Sequence, residues 1–195
     1  MAKINKNLLR QNVSSAIESN SNVMKKAMAI AQDSMEQNLN NYILEIENHP
    51  VSKEIINGPN SQNLSRSLDG PGNLFSFIGF EANEEPVEKI KSIVKSNTFL
   101  KFKDFKSAAF NFSVFTPSPQ EIYSQTPMPF ENGRSWVKGI EKGISGFSNY
   151  LYGLIFPQSR SGRAIQTENK IRKANFKPTA YFSRLHLNFI KSFFK

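Results

Sequence analysis

Cysteine is absent from the 195-residue chain. That excludes a disulfide framework, a thiolate nucleophile, a thiolate-held zinc and a Cys-ligated iron–sulfur cluster. Histidine is scarce, with only His49 and His186, and neither has an acid–base or metal-ligand pattern beside it. His49 precedes Pro50 at the end of a predicted helix, where a cation complements the dipole. His186 sits beside an apolar helical stripe, so capping and packing are the expected roles. No run approaches the roughly 18 apolar residues of a spanning helix, and the longest, residues 74–80 and 150–156, are strand-length. Lys3, Lys6 and Arg10 have no apolar stretch behind them, which is not the layout of a signal peptide. Gly139, Gly143 and Gly146 lack both the Gly-Lys-Ser/Thr ending of a phosphate loop and the spacing of a dinucleotide fold. No Gly-x-Ser-x-Gly elbow occurs either. The expectation is a protein without catalytic residues, cofactor, metal or membrane partner.

Acidic excess is lacking too. The chain has 25 Lys plus Arg against 16 Asp plus Glu, a net charge of +9. Residues 158–195 hold nine of those cations (Arg160, Arg163, Lys170, Arg172, Lys173, Lys177, Arg184, Lys191, Lys195) and one acid, Glu168. The body is close to neutral, and the excess sits in a terminal segment. The length suits one domain over residues 1–195, with a helical segment at 1–48 and a basic arm plus C-terminal helix at 158–195.

Periodicity supplies the elements. Met24, Met28, Ala31, Met35, Leu39, Tyr42, Ile43 and Ile46 recur at three- and four-residue spacing, which predicts a long helix ending before Pro50. The polar cluster at residues 19–22 should break it from a shorter first helix over 3–19. Residues 51–73 are rich in Gly, Pro, Asn and Ser and read as a surface loop. Residues 74–80 read as a buried or interface strand, and residues 85–95 as a short amphipathic helix. The alternation Phe110-Asn111-Phe112-Ser113-Val114, after Phe99, Phe102 and Phe105 among lysines, predicts an antiparallel pair over about 100–115. Four prolines between 117 and 129 predict a long irregular loop. Trp136, Ile140 and Ile144 predict a helix over 134–146. Gly139 and Gly143 on its adjoining stripe suggest close approach of another backbone, with the helix against a sheet. Residues 147–156 read as a strand, residues 159–162 as a turn into a further strand or arm. Phe182, Leu185, Phe189 and Phe193 mark a C-terminal helix opened by Pro178.

Two blocks carry a likeness. His49-Pro50-Val51-Ser52-Lys53-Glu54-Ile55, then Gly58-Pro59, Leu64-Ser65, Leu68 and Gly72-Asn73-Leu74-Phe75-Ser76-Phe77-Ile78-Gly79-Phe80, resemble the neck or tail-completion (head-to-tail connector) proteins of tailed bacteriophages. Ser135-Trp136-Val137 with its glycine-spaced helix, and Arg160-Ser161-Gly162-Arg163-Ala164-Ile165-Gln166, are similar to later blocks of such proteins. The likeness covers roughly residues 49–80 and 134–172. It departs at Ser65-Arg66-Ser67, where such proteins usually have Ser-Gly before a leucine.

The resemblance implies an α+β fold, with a long N-terminal helix packed beside a small, mostly antiparallel sheet, plus short helices and a C-terminal helix. It also implies several copies in a homo-oligomeric ring between portal or adaptor and tail, in a virion assembled in the host cytoplasm, with DNA passing through the lumen. No catalytic residue carries over. Phe75, Phe77, Phe80, Trp136, Gly139, Gly143, Arg160, Arg163, Arg172 and Lys173 are the candidate interface residues. An interface also accounts for 17 phenylalanines better than one small core does.

The rival reading is a nucleic-acid-binding module using the basic C-terminal segment. Arg160, Arg163, Arg172, Lys173, Lys177 and Arg184 alternate there with Phe176, Tyr181 and Phe182, a mixture able to neutralise phosphates and stack bases. The helical spacing of the aromatics favours a core-facing role for them. Such a module would show a salt-steep affinity for DNA or RNA that disappears on truncation after Pro157. An enzyme accessory subunit is a third reading.

Overall fold

The computed structural model describes residues 6–68, 72–106, 108–129, 131–143 and 178–194, with two short strands at 151–152 and 164–165. The fold is α+β. Helix α1 (Lys6–Glu18) and helix α2 (Ser21–Asn48) are separated at the predicted break. Asn20 makes that break a cap, because its side chain accepts from Asn22 N and Val23 N at 3.1 and 3.2 Å. The 28 residues of α2 span about 42 Å at 1.5 Å per residue. Its buried residues, Met35, Leu39, Tyr42, Ile43 and Ile46, all belong to the second half.

Two helices pack on that half. Helix α5 (Pro86–Asn97) buries Val87, Ile90, Ile93 and Val94, and helix α8 (Phe182–Ser192) buries Phe182, Leu185 and Phe189. The Tyr42 ring stacks on Phe189 at 4.5 Å. Both helices lie where the sequence reading puts them, since each has one apolar stripe to cover, but α8 opens at Phe182 rather than at Pro178. Strands β1 (Phe99–Lys106) and β2 (Ala109–Phe115) form the expected antiparallel hairpin, beside α2.

Three segments depart from expectation. Residues 51–73 are not simply a loop, because helix α3 (Pro50–Ile56) starts at once, with Pro50 in its first turn and His49 as its N-cap. The expected strand at 74–80 is instead helix α4 (Leu74–Ile78). Asn73 Oδ1 accepts from Ser76 N at 2.9 Å at its start. Gly79 ends it at φ +85°, a left-handed conformation that glycine adopts without strain. All five helical residues are buried, so no polar face marks the period.

The proline-rich stretch 116–133 also has structure. Ser118 and Glu121 form a capping box around Pro119 and start helix α6 (Pro119–Gln125), and strand β3 (Pro127–Met128) pairs antiparallel with β4 (Glu131–Ser135). Helix α7 (Trp136–Lys142) is shorter than the predicted 134–146. Gly143 at φ +84° stops it, and Ile144 lies outside the described residues. It packs on α6, β4 and α8 rather than across a broad sheet. Strands β5 (Leu151–Tyr152) and β6 (Ala164–Ile165) pair antiparallel; the remainder of the strand and arm expected over 147–173 lies outside the described residues.

Candidate functional site

The first resemblance block folds into a polar clasp under the core. His49 ends α2 and begins α3, its Nδ1 accepting from Val51 N at 3.3 Å. That bond requires a neutral ring, and burial lowers the pKa of His49. The expected cationic role at a helix C-terminus is therefore corrected to a neutral cap. Ser52 Oγ lies 2.7 Å from Tyr181 Oη in a buried pair, tying α3 to the residue before α8. Glu54 is fully buried; one carboxylate oxygen accepts from Ser65 N and the other from Leu74 N, both at 2.7 Å. Asn73 donates to Pro59 O and Ser61 O at 3.0 and 2.9 Å. One carboxylate and one amide thus hold Pro59, Ser61, Ser65 and Leu74 of this turn-rich stretch, where polar side chains meet backbone groups in place of a sheet ladder.

The two blocks meet where Phe80 and Trp136 pack edge to face, ring centroids 5.5 Å apart. Phe75, Phe77, Phe80 and Trp136 are all buried in the chain's own core. They present no surface in this fold, so their proposed interface role is replaced by a packing role. Gly139 is half-buried within α7, and Gly143 is its terminator. Arg160, Arg163, Arg172 and Lys173 lie outside the described residues.

A second polar cluster joins α6, α7 and α8. Glu141 accepts from Ser183 N at 2.6 Å and from Ser183 Oγ at 2.7 Å. Tyr123 Oη bonds both Glu141 and Ser183 Oγ. Burial, reinforced by the carboxylate, pushes the Tyr123 hydroxyl up to about 12. Tyr181 gives no side-chain cap to α8, so Glu141 supplies the acceptor that its N-terminus needs. The serine serves as part of a helix cap. His186 packs among Tyr42 and Phe182 as expected, and burial lowers its pKa.

The exposed feature is the hairpin. Phe99 and Phe115 face each other across the strands, ring centroids 5.1 Å apart, with Lys101 Nζ 5.4 Å from each. Phe102, Phe105, Phe110 and Phe112 alternate with these and pack mutually at 4.8 to 6.3 Å. The register shifts between Phe102 and Asp104, with Lys103 between them. Phe99, Phe102 and Phe115 remain 45, 39 and 46 % exposed, and none of the six rings is fully buried. Lys101, Lys103 and Lys106 are exposed without ion pairs among the described residues. The sequence pointed to the strand pairing; it gave no sign that rings on both faces of the hairpin would stay partly uncovered.

Among the described residues no group of three His, Asp or Glu side chains could hold a metal ion, and no helix is long and apolar enough to cross a membrane. Comparison with protein-family models, with curated proteins and with solved structures found no match.

Proposed function

We propose that this chain is a non-enzymatic structural protein of a tailed-phage virion, one subunit of an oligomeric ring in the neck that joins portal or adaptor to tail. The observation that carries the reading is the β1–β2 hairpin. A two-stranded sheet is marginal in water by itself, and this one leaves Phe99 and Phe115 on one face and Phe102 on the other about two-fifths exposed. Exposed apolar patches of this kind mark assembly contacts. The resemblance of residues 49–80 and 134–172 selects which assembly. The polar residues there that could suggest chemistry have structural partners instead: His49 and Asn73 cap helices, Glu54 holds backbone N–H groups, and Ser52 ties α3 to Tyr181.

Binding of the full chain to purified portal and tail components tests the reading. The expected result is a stable complex with at least one of them; a folded, rigid monomer with affinity for neither contradicts it. The nucleic-acid reading needs a different experiment from truncation after Pro157, because that cut removes the core residues Tyr181, Phe182, Leu185 and Phe189. Neutralising Arg160, Arg163, Arg172 and Lys173 instead leaves α8 in place. Salt-steep DNA affinity that the neutralised variant loses would favour the rival.

A further inference from the structure

We infer that copies of this chain join head to tail, the lysine-lined groove beside the β1–β2 hairpin of one subunit receiving the acidic turn at residues 81–85 of the next. The inference rests on the ring reading and names its contact. The groove encloses about 730 Å³. Lys103, Asp104 and Lys106 line it together with Phe112, Val114 and Phe193. Asp104 is already engaged, accepting from Asn111 Nδ2 at 2.7 Å, so the groove offers two uncommitted cations and an apolar wall.

The complement lies at the other end of α5. Glu81, Glu84 and Glu85 are exposed within five residues. Glu84 shapes the turn, its carboxylate accepting from Glu81 N at 2.8 Å and its own N–H donating to Glu81 O at 3.0 Å. Glu81 and Glu85 have no ion pair among the described residues. Charges in the middle of the helix differ, because Lys91 bridges Glu88 and Glu47 within the subunit. Glu81 and Glu85 precede α5 while Lys103 and Lys106 follow it on the hairpin, and the two pairs are opposite in sign and without ion pairs among the described residues.

The spacing makes the pairing intermolecular. Between the turn and the start of the hairpin lies α5, twelve helical residues about 18 Å long. Four buried side chains of α5 fix that spacer in the core. Within one subunit the turn's Glu81 and Glu85 form no ion pair with Lys103 or Lys106. Each copy carries one surface of each sign, which is what a heterologous contact needs, and such contacts close into rings when the rotation permits. Complementary charge steers the encounter and sets the register. The apolar wall supplies area that charge alone does not.

Charge reversal tests this. The variants are Lys103→Glu/Lys106→Glu and Glu81→Lys/Glu85→Lys, chosen because these side chains make no internal contacts that the fold needs. Circular dichroism and thermal melting establish that each is folded. In sedimentation at low salt, each variant alone should self-associate roughly tenfold or more weakly than the wild type. Their equimolar mixture should regain association, because every junction of an alternating assembly again pairs opposite charges. Folded variants that associate as the wild type does, or a mixture that stays dissociated, overturn the inference while leaving a ring built on other surfaces. A wild-type chain that never self-associates overturns the ring reading as well.

Discussion

Glu54 is a buried carboxylate whose two oxygens each accept one backbone N–H, from Ser65 and Leu74. Glu54→Gln keeps the shape but turns an NH2 group toward one of those donors. Leaving a buried donor unmet costs about 1–3 kcal/mol, so chemical denaturation should show a loss of that size; an unchanged midpoint would contradict the clasp. The two histidines predict a pH effect of definite sign. Burial holds both below their ordinary value of 6.5. Below that pH the unfolded chain takes up protons that the folded chain resists. Stability from this source is full above pH 6.5 and falls as pH drops toward the depressed values. The double variant His49→Asn, His186→Gln should flatten the slope of unfolding free energy against pH over that range, with Asn retaining the cap at position 49. Residue roles of this kind were poorly legible in the sequence. The block from His49 to Phe80 stood out, but Glu54 bonds residues 11 and 20 positions away, and no local pattern encodes that reach.

Elements with one apolar stripe were the legible ones. α2, α5 and α8 bury a single face, and the break at Asn20 follows from side chains that compete for backbone donors. α4 failed because five consecutive buried residues carry no period, and only the flanking Asn73 and Gly79 reveal a helix. α6 was readable, since Ser118-Pro119-Gln120-Glu121 is a capping box, but the four prolines of its neighbourhood outweighed it. The C-terminal helix is an integral element rather than the end of a detachable arm. Its Tyr181 hydroxyl meets Ser52, its Phe189 stacks on Tyr42, and Glu141 caps it. Truncation after Pro157 is therefore expected to unfold the chain or leave it aggregated, read as loss of the cooperative thermal transition. A truncated protein with an unchanged melt would show that α8 is dispensable.

At the scale of the whole molecule, the net charge of +9 has more than one component. The sequence showed the excess in residues 158–195. Of that segment, Arg184 and Lys191 sit on α8, whose opposite face is core. A separate division, cations on the hairpin and carboxylates at the start of α5, is hidden in the nearly neutral body. It emerges only once α5 separates the acidic turn before it from the hairpin after it. The candidate interface accordingly moves from Phe75, Phe77, Phe80 and Trp136, which the core consumes, to Phe99, Phe102 and Phe115, which it does not. Strand alternation revealed that the hairpin exists, while exposure depends on which neighbours three-dimensional packing supplies. The most direct measurement is a particle reconstruction at side-chain resolution of a virion assembled with this chain. The expected result is a closed ring of copies between portal and tail, with the hairpin at each subunit junction. Particles complete at the neck without this chain, or with it placed elsewhere as an isolated monomer, would contradict it.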